Sequence, residues 1–204
     1  MKSTPILFKP EAIPLVMSGA KPVTRRVINP QPKGWKPVVE ADGITWSWCQ
    51  HGDMDYSKRI RCPYGRSGDK LWVKESWRGW LAGPFPCIEY RHGGDEYGAN
   101  LPRPGYNADH PAFCSKPKWR GPLFMPKWAS RITLEIINVS AERLQDISEK
   151  DCEYELGVKP NSLGNAAYGT FRDLWDQINA KRGYPFSDNV WVWRIEIKRI
   201  NEQW

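Results

Sequence analysis

The alternation of apolar and polar positions divides this chain into short regular stretches separated by two long irregular ones. An apolar run at Pro5-Ile6-Leu7-Phe8 predicts a first strand. Ile13, Val16 and Met17 then recur at helical spacing and predict a short helix over Pro10 to Met17. Gly19 suits the left-handed residue that ends such a helix, and Pro22 keeps the helix from resuming. In the extended run expected beyond Pro22, Thr24 and Arg26 share one face and Arg25 points the other way. The Gly68-Asp69 turn launches a strand over Lys70 to Glu75, with Leu71 and Val73 on one side and Lys70, Trp72 and Lys74 on the other. Ile132, Leu134 and Ile136 alternate with Thr133 and Glu135 in a strand expected between Ala129 and Val139.

Two helices and a strand close the chain. Ser148 can N-cap a short helix, with Asp151 at the capping-box position, that runs through Cys152 and Glu155 and stops before Gly157. Phe171, Leu174, Trp175 and Ile178 form the apolar stripe of a helix over about Tyr168 to Ala180. The last run, Val190 to Lys198, is mostly apolar before it alternates, which suits a central strand of a barrel.

The irregular stretches cover about 28–61 and 79–126, where Pro and Gly recur and periodicity is weak; Trp46-Ser47-Trp48 is the short strand expected within the first. A length of 204 residues suits one domain with long insertions or two small ones, and 40% hydrophobic content is enough for a core. No apolar run approaches the roughly 18 residues of a membrane span. Pro5 and Lys9 interrupt the first apolar patch, so a secretory signal is not expected and a cytoplasmic location is. Thirty basic and 23 acidic residues leave a net charge of +7, which favours polyanionic partners such as RNA or DNA. Most of the twelve tryptophans are expected to be structural, although indoles can also stack on bases.

Metal and histidine chemistry has weaker support. Cys49, His51, Cys62, Cys87, His92 and Cys114 contain enough ligands for zinc, but no paired C-x-x-C spacing is present, and neither a metal nor a cofactor is expected. His51, His92 and His110 all lie in the irregular stretches and read as solvated loop residues rather than general bases. Attention therefore falls on the run from Gly19 to Arg26, in which an ammonium, a hydroxyl and a guanidinium converge just past a helix end.

That run, Gly19-Ala20-Lys21-Pro22-Val23-Thr24-Arg25-Arg26, has the form G-x-K-x-x-x-x-R and resembles the hallmark of the ASCH family, a branch of the PUA-like β-barrels. Gly68-Asp69-Lys70-Leu71, the strand Ile132 to Val139, Ile147-Ser148-Glu149-Lys150 and the closing Arg194-Ile195-Glu196-Ile197-Lys198 fall in the family's order. Cys62-Pro63-Tyr64-Gly65 and Met125-Pro126-Lys127-Trp128-Ala129-Ser130-Arg131 resemble a subgroup carried by bacteriophages and prophages. The resemblance covers about half of the chain. It implies an α+β fold, a small mixed β-barrel with a few short helices, in one domain over residues 1–204.

The same resemblance implies a modified nucleoside, or RNA or DNA, as ligand. Small bacterial ASCH proteins are amidohydrolases that remove the acetyl group from the exocyclic amine of acetylcytidine. Their lysine and threonine, in K-x-x-T, fall here on Lys21 and Thr24, and their helix glutamate on Glu155, with Glu149 and Glu153 as alternatives. Arg26 matches the family arginine, and Arg25 and Gly19 complete the expected ligand-binding set. In such a site Lys21, its pKa lowered by burial or by Arg26, would take a proton from Thr24 or from water. Glu155 would pass a proton to the leaving nitrogen, and Arg25 or Arg26 would hold the oxyanion or a phosphate. Two other readings remain open: a non-catalytic nucleic-acid-binding module, and a phage assembly or host-interaction protein whose insertions make protein contacts.

Overall fold

The computed structural model describes residues 2–32, 36–49, 59–82, 85–91, 111, 113, 118–158, 163 and 166–200. Among the described residues, ten strands and three α-helices follow one another as β1 (Ser3–Leu7), α1 (Ile13–Ser18), β2 (Val23–Val27), β3 (Lys36–Val39), β4 (Thr45–Cys49), β5 (Ile60–Arg61), β6 (Lys70–Lys74), β7 (Trp77–Ala82), β8 (Phe85–Tyr90), β9 (Thr133–Arg143), α2 (Glu149–Leu156), α3 (Ala166–Asn179) and β10 (Trp191–Ile200). The architecture is mixed α+β, with a five-stranded sheet in the order β1-β6-β9-β10-β2, a three-stranded sheet β3-β4-β5 and a hairpin β7-β8. Only β1 and β6 are parallel; the other pairs are antiparallel.

The expected closed barrel is not formed among the described residues. β1 and β2 each pair on one side only and stay as the two edges of an open sheet. They are bridged by a side chain instead of a ladder, since the Arg26 guanidinium donates to the Leu7 carbonyl at 2.6 Å. The insertions also hold more order than their periodicity suggests. The first contributes β3, β4 and β5, and the second begins inside the hairpin β7-β8.

Alternation explains the two layers. On β10, Trp191, Trp193, Ile195 and Ile197 face a core completed by Trp46 and Trp48 of the small sheet. Trp46 and Trp193 meet edge to face at 5.7 Å, and Trp48 meets Trp191 likewise at 6.0 Å. Val192, from the opposite face, joins Cys152, Phe171, Trp175 and Phe186 under the helices. β9 would put Leu134 and Val139 on different faces if it were regular. A bulge at Ile137, opposite the Glu196–Ile197 step, restores them to the same core and leaves Ile137 exposed.

The turns behave as their residues require. Gly19 caps α1 in a left-handed conformation (φ 78°) and Gly157 caps α2 (φ 72°). Asp69 accepts the Lys2 N–H at 2.7 Å and the Arg66 N–H at 3.2 Å, fastening the start of β1 to the turn before β6. The segment expected to be a single helix over Pro10 to Met17 starts as a 3-10 turn, Pro10–Ala12, before α1 proper.

Gly157 also sets a distance between elements, because a Cβ there would lie 2.2 Å from the Leu15 side chain of α1. Gly157→Ala therefore combines positive φ with a clash at the α1–α2 contact. It is expected to lower stability by about 1–3 kcal/mol, read as a reduced urea midpoint at constant m-value.

Candidate active site

Lys21 sits two residues past the Gly19 cap, where its backbone N–H donates to the Leu15 carbonyl at 3.1 Å. Pro22 then hands the chain to β2, its own carbonyl accepting the Ile197 N–H at 2.8 Å. These contacts aim Lys21 at the last turn of α2. Its ammonium pairs with the Glu155 carboxylate and also donates to the Glu155 carbonyl at 2.6 Å. Both side chains are buried. Burial pushes the Lys21 ammonium below the ordinary lysine value of 10.5; Glu155 opposes that shift, while Arg26 and Arg25 add to it.

Ser148 caps α2 as expected, its hydroxyl accepting the Asp151 N–H at 3.1 Å. The Asp151 carboxylate, however, turns to two guanidiniums. It accepts from Arg25 Nη2 and from Arg194 Nε, each at 2.6 Å. Arg25 and Arg194 are cross-strand neighbours on β2 and β10, so one carboxylate over the sheet bridges both, and Arg194 pairs further with Glu196. Arg25 Nε also donates to Glu142 at 2.7 Å. Burial alone would raise the Asp151 carboxyl, but the hydrogen bonds and charges of Arg194 and Arg25 hold it below its usual 3.8. The Glu142 carboxyl is raised above 4.5, because its burial outweighs the Arg25 contact.

One cavity of about 1230 Å³ lies against this cluster, with Asp151, Glu142 and Arg194 behind its lining. Lys21, Thr24, Arg25, Arg26 and Glu155 all line it, together with the end of β1, Tyr64 and the Phe171–Asn179 face of α3. Both free edges of the main sheet contribute, so the cavity lies where the sheet stays open. Its size exceeds the roughly 300–1,000 Å³ common for small-molecule sites.

The sequence-predicted residues fall into distinct positions. Lys21, Thr24 and Glu155 share the lining. Arg26 is half-buried, stacked over the Phe8 ring at 5.0 Å, and burial lowers its guanidinium from the ordinary arginine value. Arg25 is committed to carboxylates. Its Nη1, which has no hydrogen bond, lies 3.6 Å from a Glu155 Oε1 that is equally unpartnered. Gly19 is not in the lining and acts on the site through the turn it allows. Glu153, an alternative to Glu155, accepts the Leu163 N–H at 2.9 Å. Asp151, Glu142, Arg194 and Tyr64 were not expected at the site. Asp151 was legible only as a cap, and the i, i+4 spacing to Glu155 is the signal that places both on one helix face.

The zinc candidates mostly fall elsewhere. His51, His92, His110 and Cys114, with the Cys49 side chain, lie outside the described residues. Cys62, Cys87 and Cys152 are buried, and no group of three or more metal-ligating residues occurs among the described residues. Among the described residues no helix is long and apolar enough to cross a membrane. No family model, curated protein or solved structure matches the chain.

Asp151→Asn is expected to lower stability by about 3 kcal/mol at pH 7, because two buried or half-buried cations lose their shared anion. The folded Asp151 pKa lies below the unfolded 3.8, so its contribution is present above that value and is lost as pH falls through the folded one. Urea midpoints of wild type and variant should therefore converge below pH 3.8. A gap that stays constant down to pH 2 contradicts the assignment.

Proposed function

We propose that the cavity binds an acylated nucleoside and hydrolyses its exocyclic amide, and that the chain is an ASCH-type, PUA-like domain. The buried Lys21–Glu155 pair, which shares one cavity lining with Thr24, carries this reading. The pair can hold its proton in either of two ways. As ammonium and carboxylate it is inert; as amine and carboxylic acid it is a base beside an acid. Burial depresses the Lys21 pKa and so favours its amine, the base of the second form.

In that form the Lys21 amine takes a proton from water or from the Thr24 hydroxyl, and the oxygen attacks the acyl carbon. Attack by Thr24 gives an acyl-Thr24 ester that a water then cleaves to carboxylic acid and free Thr24. Arg26 supplies the positive charge facing the oxyanion of the tetrahedral intermediate. Glu155 delivers its proton to the leaving exocyclic nitrogen, the C–N bond breaks, and the Lys21 proton returns to Glu155. Amide and water become carboxylic acid and amine, with no net proton change in the pair. Arg25 does not need to touch the substrate for this. Clamped by Glu142 and Asp151, it stands beside Glu155 Oε1 and fixes the field around that carboxyl.

The test is turnover of acetylcytidine, followed by mass. Lys21→Ala and Glu155→Gln should each lower kcat/KM by at least about 1,000-fold, and undiminished turnover in Lys21→Ala rejects the mechanism. If the Lys21 amine is the base, the rising limb of the wild-type pH–rate profile has its midpoint below 10.5. A limb centred at or above 10.5 assigns the base elsewhere.

A further inference from the structure

The cations of the cavity divide into two groups. Lys21 and Arg25 are balanced by Glu155, Asp151 and Glu142. Four others gather about the C-terminal end of β1 and form no ion pair among the described residues. Lys74 is the register partner of Leu7, and its ammonium donates to the Leu123 carbonyl at 2.9 Å. Arg26 donates to the Leu7 carbonyl at 2.6 Å. Lys9 reaches the Gln177 side chain of α3 at 3.3 Å. Arg182, just past α3, contacts Asn179 Oδ1 at 3.2 Å and lies near enough to Arg26 and Tyr64 for its charge to act on both. Every one of these hydrogen bonds ends on a neutral oxygen. All four cations line the cavity, and Glu11, exposed at the rim, is the one carboxylate of the lining besides Glu155.

A neutral nucleoside gives such a cluster nothing to bind. Gathered like charges repel one another, and a dianionic phosphate relieves that repulsion while accepting several charge-assisted hydrogen bonds. We propose that Lys9, Lys74 and Arg182 form a phosphate subsite beside the Lys21–Glu155 pair, so that the ligand is a phosphorylated nucleoside rather than a neutral one. Arg26 stands between the two parts, linking the phosphate end to the acyl end. The proposal rests on the nucleoside reading of the cavity and adds the substrate's charged half. A free nucleotide offers this cluster a phosphate dianion, and a nucleotide within a single strand offers phosphodiester monoanions with the same accepting oxygens.

Binding of acetylcytidine, its 5′-monophosphate and a short single-stranded RNA carrying one internal acetylcytidine tests this. The monophosphate should bind at least about tenfold more tightly than the nucleoside at 50 mM salt, and that advantage should shrink at 300 mM. Arg182→Gln and Lys9→Gln, both at exposed positions, should cut the advantage to about threefold or less while melting with the wild type. Equal affinity for nucleoside and monophosphate overturns the subsite, as does an advantage untouched by salt and by both variants. Failure of all three ligands to bind overturns the subsite and the nucleoside reading together. A preference for phosphate without any turnover keeps the subsite and removes the hydrolysis; turnover without the preference does the reverse. The RNA binding more tightly than the monophosphate assigns the site to strands, and the opposite order to free nucleotides; each supports the subsite.

Discussion

Arg25 is the constraint around which the site is arranged. A guanidinium cannot shed its charge, and this one, on an edge strand under a helix, has almost no water to solvate it. Leaving it unpaired would cost about 3–5 kcal/mol, so helix α2 must arrive with carboxylates in the right places. Asp151 and Glu155, one turn apart, meet that need: the first bonds both Arg25 and its neighbour Arg194, and the second lies against Arg25 and receives Lys21. The helix is fixed in rotation and in height by charges, because its apolar contribution is small. Cys152 is its one residue fully inside the second core.

This arrangement makes the Lys21–Glu155 pair a consequence of the fold and not an isolated contact. Gly157 lets α2 end against Leu15 of α1, and the same α1 terminates at Gly19 to aim Lys21. Each partner's position thus depends on a glycine at the end of a different helix. The open edge of the main sheet completes the geometry. Because β2 has no ladder partner on its outer side, the side chains of both its faces reach the cavity, which is how Thr24, Arg25 and Arg26 can line one space despite alternating.

Much of this was legible in the sequence. The strands of the main sheet, the three helices and both glycine caps follow from periodicity and from residues with strong local preferences, and local preferences are what a sequence displays directly. The closed barrel did not follow, because nothing in β1 or β2 taken alone tells whether the two edges will meet. The bulge at Ile137 was hidden for a similar reason: Ile136-Ile137 is apolar at both positions, and only pairing with Glu196 and Ile197 decides which one is buried. At the site, Lys21, Thr24 and Glu155 were named from a motif and a resemblance. Asp151 looked like a cap because the capping position is local, whereas its bonds to Arg25 and Arg194 span 126 and 43 residues. Tyr64 stood only within the Cys62-Pro63-Tyr64-Gly65 run of the resemblance and Arg182 gave no signal, both being brought to the cavity by connections between elements.

The cavity's charge is graded along its length, and the grading bears on how the two ends could cooperate. At the inner end, cations and carboxylates are matched nearly one to one, leaving a proton that can move within a pair at little change in net charge. At the outer end, cations stand on neutral oxygens and keep their unspent charge. An anionic group bound outside lowers the positive potential felt inside, and the first effect of that change falls on Arg26, which lies in both regions, and through it on Lys21, whose ammonium Arg26 now disfavours. Binding a phosphate would thus hold the ligand at the cost of making Lys21 a slightly stronger base and a more often protonated one. The short reach of screened charges limits this loss, and the desolvation of Lys21, which the phosphate does not touch, remains the larger influence on its proton. Separation of the anchoring charges from the pair proposed to move a proton would let one cavity serve both proposed tasks.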